Sequence, residues 1–149
     1  MADYPGKLGE IIEDFEELLD RRERTELLIY YADQFVEVPD AIASRPFEEN
    51  HRVPACESEA FVWSDPQKDG TLKLYFAVEN PQGLSAKAMA AILDQGLSDQ
   101  PPAEIAKVSS DIVFTLFGND ISMGKGTGLT GMVSMVKALA EQSLNAQQN

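Results

Sequence analysis

The sequence has little of what a cross-linked or metal-binding protein needs. Its 149 residues include one cysteine, Cys56, and one histidine, His51. A single cysteine cannot form a disulfide within the chain, and zinc sites and iron–sulfur clusters require several Cys or His ligands. The sequence therefore predicts neither a bound metal nor a cofactor. It also favours a reducing compartment, so we expect a cytoplasmic protein.

Long apolar runs and basic residues are also scarce. No stretch approaches the roughly 18 apolar residues of a membrane span, so no membrane association is expected. Twelve Lys and Arg stand against 25 Asp and Glu, giving a net charge of −13. Nucleic-acid binding requires a cationic face and is not expected. Residues 1–59 carry −10 and residues 60–149 carry −3. This acidic half either attracts a partner with a basic surface or only maintains solubility.

The length and the 44% hydrophobic content are those of one ordinary folded domain. We expect a single domain over residues 1–149, with a core of about 8–142. The Gln/Asn-rich tail at 145–149 is expected to be frayed, because it lacks apolar residues that could anchor it.

Apolar residues at helical spacing predict two N-terminal helices. The first contains Leu8, Ile11, Ile12, Phe15, Leu18 and Leu19. Three arginines follow at 21, 22 and 24, and we expect them in the last turn of that helix and the connection after it, where cations suit the helix dipole. The second helix is predicted to begin near Thr25, an acceptable N-cap residue.

A hairpin and further helices are predicted for the rest of the chain. Leu72, Leu74, Phe76 and Val78 alternate with less apolar residues, as in a half-buried strand. An apolar run at 61–63 and a turn-rich stretch at 64–70 complete an antiparallel hairpin. A short helical piece is expected around 103–106, and a C-terminal helix from Leu129. The predicted class is α+β, a small antiparallel sheet of about three strands with helices packed on one face.

Cys56 is the leading candidate for chemistry. It ends a long polar loop directly before the first strand, and such loops are often functional. Arg52 and His51 could favour its thiolate, whereas the anionic Glu57 and Glu59 oppose it. A Cys–His catalytic pair lacks a third orienting group. Because a lone cysteine is also a common small hydrophobic residue in protein cores, packing and nucleophilic roles both remain open.

A glycine cluster follows at 124–131. Gly126, Gly128 and Gly131 formally satisfy the G-x-G-x-x-G pattern of dinucleotide-binding folds. No strong strand precedes the cluster, and the chain after it is too short for the rest of a βαβ unit. The cluster is therefore predicted to be a tight entry into the C-terminal helix. Lys125 is expected on a solvent-reachable loop there.

Two segments resemble motifs of the SufE family. In the family, Val-Pro-Gly-Cys is followed by Gln-Ser-Gln, an aliphatic residue and an aromatic residue. The segment 52–61 matches this signature at Val53, Pro54, Cys56, Ser58 and Phe61. It departs from it where Ala55 replaces the glycine and where Glu57 and Glu59 replace the glutamines. The segment 121–129 is similar to the family's C-terminal motif, with Lys125 in the place of its arginine.

The resemblance implies a fold of the SufE and IscU type and a role in sulfur transfer. Cys56 would accept persulfide sulfur from a PLP-dependent cysteine desulfurase and pass it to an iron–sulfur assembly scaffold. Lys125, Arg52, His51 and Ser58 would support the cysteine or bind the partner. The chain would act as a desulfurase activator without a cofactor, rather than as a stand-alone enzyme.

Two alternatives to sulfur transfer are compatible with the sequence. One is an interaction module that binds and regulates a desulfurase or another basic partner without carrying sulfur. The other is a thiol-dependent redox enzyme, which the sequence disfavours because Cys56 has no resolving cysteine.

Overall fold

Two helices, a hairpin and four further helices form the described part of the chain. The structure is a computed structural model that describes residues 4–18 and 20–148. The elements are α1 (Gly6–Glu16), α2 (Arg21–Ala32), a 3₁₀ turn (Glu49–His51), β1 (Ala60–Pro66), β2 (Leu72–Val78), α3 (Leu84–Leu97), α4 (Pro102–Ala106), α5 (Ile112–Phe117) and α6 (Met123–Gln148). The α+β class predicted from the sequence is confirmed.

Helix α1 is amphipathic, as its spacing predicts. Its buried residues are Leu8, Ile11, Ile12 and Phe15. Burying an aliphatic or aromatic side chain of this size contributes about 1.5–3 kcal/mol, so this face holds α1 to the rest of the protein. Leu19, which the spacing also assigned to this face, lies outside the described residues.

Helix α2 begins one turn earlier than predicted. The side chain of Asp20 caps it by accepting a hydrogen bond from the Glu23 amide at 2.7 Å. A start near Thr25 is therefore wrong. The three nearby arginines open α2 instead of closing α1, since Arg21 is the first residue of α2. The helix dipole disfavours cations at this end, so the arginines gain no stability from the dipole.

The hairpin has the predicted antiparallel pairing. Strands β1 and β2 run from the Ala60–Val78 pair to the Pro66–Leu72 pair. The alternating residues of β2 predicted to be buried all have 5% exposure or less. The hairpin thus presents a continuous apolar face to the helices.

The sheet has two strands in the described residues, where the sequence predicted about three. Single-residue bridges take the place of a further strand, pairing Glu37 with Phe76 and Arg52 with Phe61. Pro39 and Pro54 follow these bridges two residues later. Because proline has no amide hydrogen to donate, neither bridge extends into a ladder.

The helices pack on one face of the hairpin, as predicted. Val62, Leu74 and Phe76 belong to the main core together with residues of the helices. The opposite face is covered by the segment 38–51, whose Phe47 packs on Trp63 with ring centroids 4.9 Å apart. The long loop before Cys56 therefore has a structural role along most of its length.

Helix α6 begins at Met123, six residues before the predicted Leu129, and runs to Gln148. The glycine cluster is thus helical, and Lys125 lies in the first turn of α6 rather than on a loop. The tail expected to be frayed is helical through 148. Of the helices in the described ranges, none combines the length and apolar character needed to cross a membrane.

Candidate functional site

Cys56 lies in a tight turn beside the start of α6. We call residues 53–59 the cysteine loop. Its turn is closed by the Glu59 amide, which donates to the Cys56 carbonyl oxygen at 3.1 Å. The Cys56 side chain is half-buried and lines a cleft of about 200 Å³, which we call the thiol cleft. The walls of this cleft come from the cysteine loop, the start of α3 and the first two turns of α6, with Ser58, Leu84, Ser85 and Lys125 among the lining residues.

Glycines of α6 let the cysteine loop approach the helix closely. A Cβ atom at Gly128 would lie 3.1 Å from Cys56 Cα and 3.2 Å from the Ala55 oxygen. A Cβ atom at Gly131 would lie 3.1 Å from the Pro54 oxygen. These contacts are with backbone, which moves less readily than a side-chain end. The glycine cluster therefore forms a packing surface that fixes the position of Cys56.

Ala55 adopts a backbone conformation that suits glycine. Its φ is 59°, in the left-handed region, where a Cβ atom is crowded by the following carbonyl group. The SufE signature has glycine at this position. The turn that presents Cys56 is thus preserved here at a cost of about 1 kcal/mol of backbone strain.

Replacing Ala55 with glycine is expected to stabilise the protein. Relief of the strain should exceed the extra unfolded-state entropy of glycine, for a net gain of up to about 0.5 kcal/mol. Chemical denaturation of the two proteins measures the difference. The matched control is Ala43→Gly, since Ala43 has no positive φ and its variant should lose stability. Equal destabilisation by both substitutions would show that the backbone at Ala55 is not strained.

Lys125 and Ser58 share the thiol cleft with Cys56. The Lys125 amide donates to Ser122 Oγ at 3.2 Å, which places its residue in the capped first turn of α6. Ser58 packs on the backbone of Gly83, where a Cβ atom would lie 2.8 Å from Ser58 Oγ. Two of the four predicted supporting residues are therefore brought together with the cysteine.

His51 and Arg52 lie in a different groove, against the later turns of α6. His51 Nδ1 donates to the Val62 carbonyl oxygen at 2.9 Å, and its ring stacks on Trp63. Arg52 Nε donates to Glu49 at 2.7 Å, and this hydrogen bond lowers the pKa of the Glu49 carboxyl. Both side chains are thus engaged in local contacts and do not line the thiol cleft.

The start of α3 is the part of the site that the sequence did not indicate. Gly83, Leu84 and Ser85 line the thiol cleft, yet in the sequence they only follow a turn. Glu57 also lines it, and its carboxylate lies near the first turn of α6, 3.5 Å from where a Cβ atom of Gly124 would be. Within residues 4–18 and 20–148, no three His, Cys, Asp or Glu side chains are grouped as a metal site requires.

The order of elements and the cysteine turn agree with a family match over most of the chain. The family model described as "SufE: Fe-S metabolism associated domain" matches residues 9–140. The chain belongs to the SufE family. It is therefore associated with iron–sulfur metabolism.

Relatives place it among divergent SufE-like proteins. An uncharacterized SufE-like protein of Mycobacterium tuberculosis is 28% identical over 137 residues, covering 91% of this chain and 92% of the relative. The SufE-like protein 1, chloroplastic/mitochondrial, of Arabidopsis thaliana is 24% identical over 141 residues, covering 94% of this chain and 36% of the plant protein.

A solved structure has the same fold. The solution structure of a hypothetical protein from Thermus thermophilus aligns with a TM-score of 0.76 at 26% identity. The alignment covers 96% of this chain and 99% of that one. The SufE-like fold of the present chain thus extends over nearly its whole length.

Proposed function

We propose that this SufE-family chain accepts persulfide sulfur on Cys56 from a PLP-dependent cysteine desulfurase. It would then pass the sulfur to an iron–sulfur assembly scaffold. The observation that carries the proposal is the position of Cys56, which is half-buried and lines the same cleft as Lys125. Cys56 packs against the main core without being buried in it, whereas a purely structural cysteine would be expected within the core.

The transfer is a thiol exchange on the sulfane sulfur. The Cys56 thiolate attacks the terminal sulfur of the donor's persulfide and forms a new S–S bond. The donor's own S–S bond breaks, and its cysteine leaves as a thiolate that takes up the proton lost by Cys56. No outside oxidant or reductant is consumed, because the sulfane sulfur only changes its carrier.

The thiol cleft has the space and the positive charge that a persulfide on Cys56 requires. A persulfide on Cys56 is more extended than a thiol, and the space of about 200 Å³ beside the side chain accommodates one more sulfur atom. Lys125 provides a cation on the cleft wall that can stabilise an anionic persulfide. Ser58 and the start of α3 complete the lining of the cleft.

Mass spectrometry after incubation with a cysteine desulfurase and cysteine tests the proposal. We expect one or more sulfur atoms added to the peptide that contains Cys56, and no addition when cysteine is omitted. Protein alkylated beforehand with iodoacetamide serves as the control and should gain none. If the alkylated protein stimulates the desulfurase as well as the native protein does, the chain is an interaction module instead.

A further inference from the structure

A second cleft adjoins the thiol cleft and differs from it in charge. It has a volume of about 360 Å³ and lies between the start of α2, the start of α3 and the start of α6. Leu84, Ser85 and Lys125 line both clefts, so the two are direct neighbours. A protein segment bound in the second cleft would therefore lie next to the thiol cleft that Cys56 lines.

This cationic cleft is lined by Arg21, Arg24 and Lys125. The carboxylate in its lining is Asp120, which pairs with Arg21. Three cations against one carboxylate leave a local charge of +2. In a chain with a net charge of −13, a quarter of the 12 basic residues line this one cleft. The cleft therefore favours an anionic ligand while the rest of the surface disfavours one.

Arg21 and Arg24 occupy positions where positive charge does not stabilise a helix. Arg21 and Arg24 lie at the N-terminal end of α2, where the helix dipole is already positive. Arg24 Nε is buried and has no hydrogen-bond partner among the described residues. A buried donor without a partner costs about 1–3 kcal/mol. Departures of this kind from local preference are typical of binding sites.

Apolar side chains lie around the cationic cleft. Met123 is 88% exposed, Leu84 42% and Phe114 40%. Phe114 and Met123 line a shallow groove that shares Ile121 and Ser122 with the cationic cleft. Exposed apolar groups beside a cluster of like charges suit a protein surface better than a small free anion, which would leave them uncovered.

We propose that an acidic segment of the sulfur donor docks in the cationic cleft, with its carboxylates on Arg21 and Arg24 and its apolar residues on Met123 and Leu84. This inference rests on the proposed sulfur transfer, since the donor must reach Cys56. The excess negative charge elsewhere repels an acidic partner, so the cationic cleft directs docking to the face that carries the thiol.

Two charge reversals on α2 test the docking. Arg21→Glu alters the cationic cleft, whereas Arg22→Glu changes the neighbouring arginine, which pairs with Glu26 and does not line the cleft. Both ion pairs are exposed, so neither variant should lose much stability, and thermal melting checks this. The dissociation constant for a cysteine desulfurase is measured with each substitution in a Cys56→Ser background, at two salt concentrations. Sulfur uptake is measured with each in the wild-type background.

We expect Arg21→Glu to weaken desulfurase binding about tenfold and to reduce the salt dependence of that binding. Arg22→Glu should change the dissociation constant by less than about twofold. Equal effects of the two reversals, or no measurable binding of Cys56→Ser, would overturn the docking proposal. If both variants bind equally and still take up sulfur, docking fails and the proposed function stands. If Arg21→Glu selectively weakens binding but wild-type protein never gains sulfur, docking stands and sulfur transfer fails.

Discussion

Cys56→Ser is expected to reduce sulfur acceptance from a cysteine desulfurase to background. The hydroxyl of serine is far less acidic than a thiol and forms no stable bond to the sulfane sulfur, so nothing replaces the lost nucleophile. Because Cys56 is the only cysteine, no other residue of the chain can take its place. Uptake of ³⁵S from labelled cysteine, followed by denaturing gel electrophoresis without reductant, measures the loss.

The same variant should retain the fold. Cys56 is half-buried and serine is nearly isosteric, so the change in the free energy of unfolding should stay within about 1 kcal/mol. Circular dichroism and thermal melting provide this control. Undiminished labelling of the serine variant would show that Cys56 is not the sulfur acceptor and has a packing role.

Gly128→Val is expected to displace the cysteine loop and to impair both stability and transfer. Its Cβ atom would meet Cys56 Cα at 3.1 Å and the Ala55 oxygen at 3.2 Å, and the two branched methyl groups need further space. Overpacking against backbone typically costs about 1–3 kcal/mol. A shift of the thiol by about 1 Å should slow sulfur transfer by about tenfold to a hundredfold. Denaturant unfolding and the initial rate of sulfur uptake give the two values.

Gly124→Val is the matched control on the same helix. A Cβ atom there would approach only the flexible end of the Glu57 side chain, at 3.5 Å, and Gly124 is exposed. Valine is a slightly better helix former than glycine, so this variant should be at least as stable as the wild type. Gly124 lines the thiol cleft, so the two variants are compared by their stability. Equal losses of stability would show that the close approach of Gly128 does not hold the cysteine loop in place.

The elements could be predicted where local pattern decides them. Apolar spacing gave α1, and strict alternation gave β2, because a face buried against a core requires those periods. The start of α2 could not be predicted so simply. Arginine is acceptable at a helix end and in a connection, and the Asp20 cap competes with a cap at Thr25. The predicted third strand does not form, because Pro39 and Pro54 limit pairing there to single bridges.

Of the predicted supporting residues, Lys125 and Ser58 line the thiol cleft, whereas His51 and Arg52 do not. His51 and Arg52 are close to Cys56 in the sequence, but their side chains do not lie beside it in the structure. The 3₁₀ turn at Glu49–His51 and the bridge at Arg52 direct their side chains to Trp63 and Glu49. Lys125 is distant in sequence from Cys56, and only the packing of α6 on the cysteine loop brings the two together.

By itself the sequence determined the candidate nucleophile, the hairpin and the family resemblance, because each depends on residue type and short-range spacing. The tertiary structure decided the surroundings of Cys56. It showed that the glycine cluster packs on the cysteine loop and that Ala55 has a positive φ. It also brought Arg21 and Arg24 of α2 and Lys125 of α6 into one cleft. Contacts between distant segments depend on how helices pack against each other, and no local pattern encodes that packing.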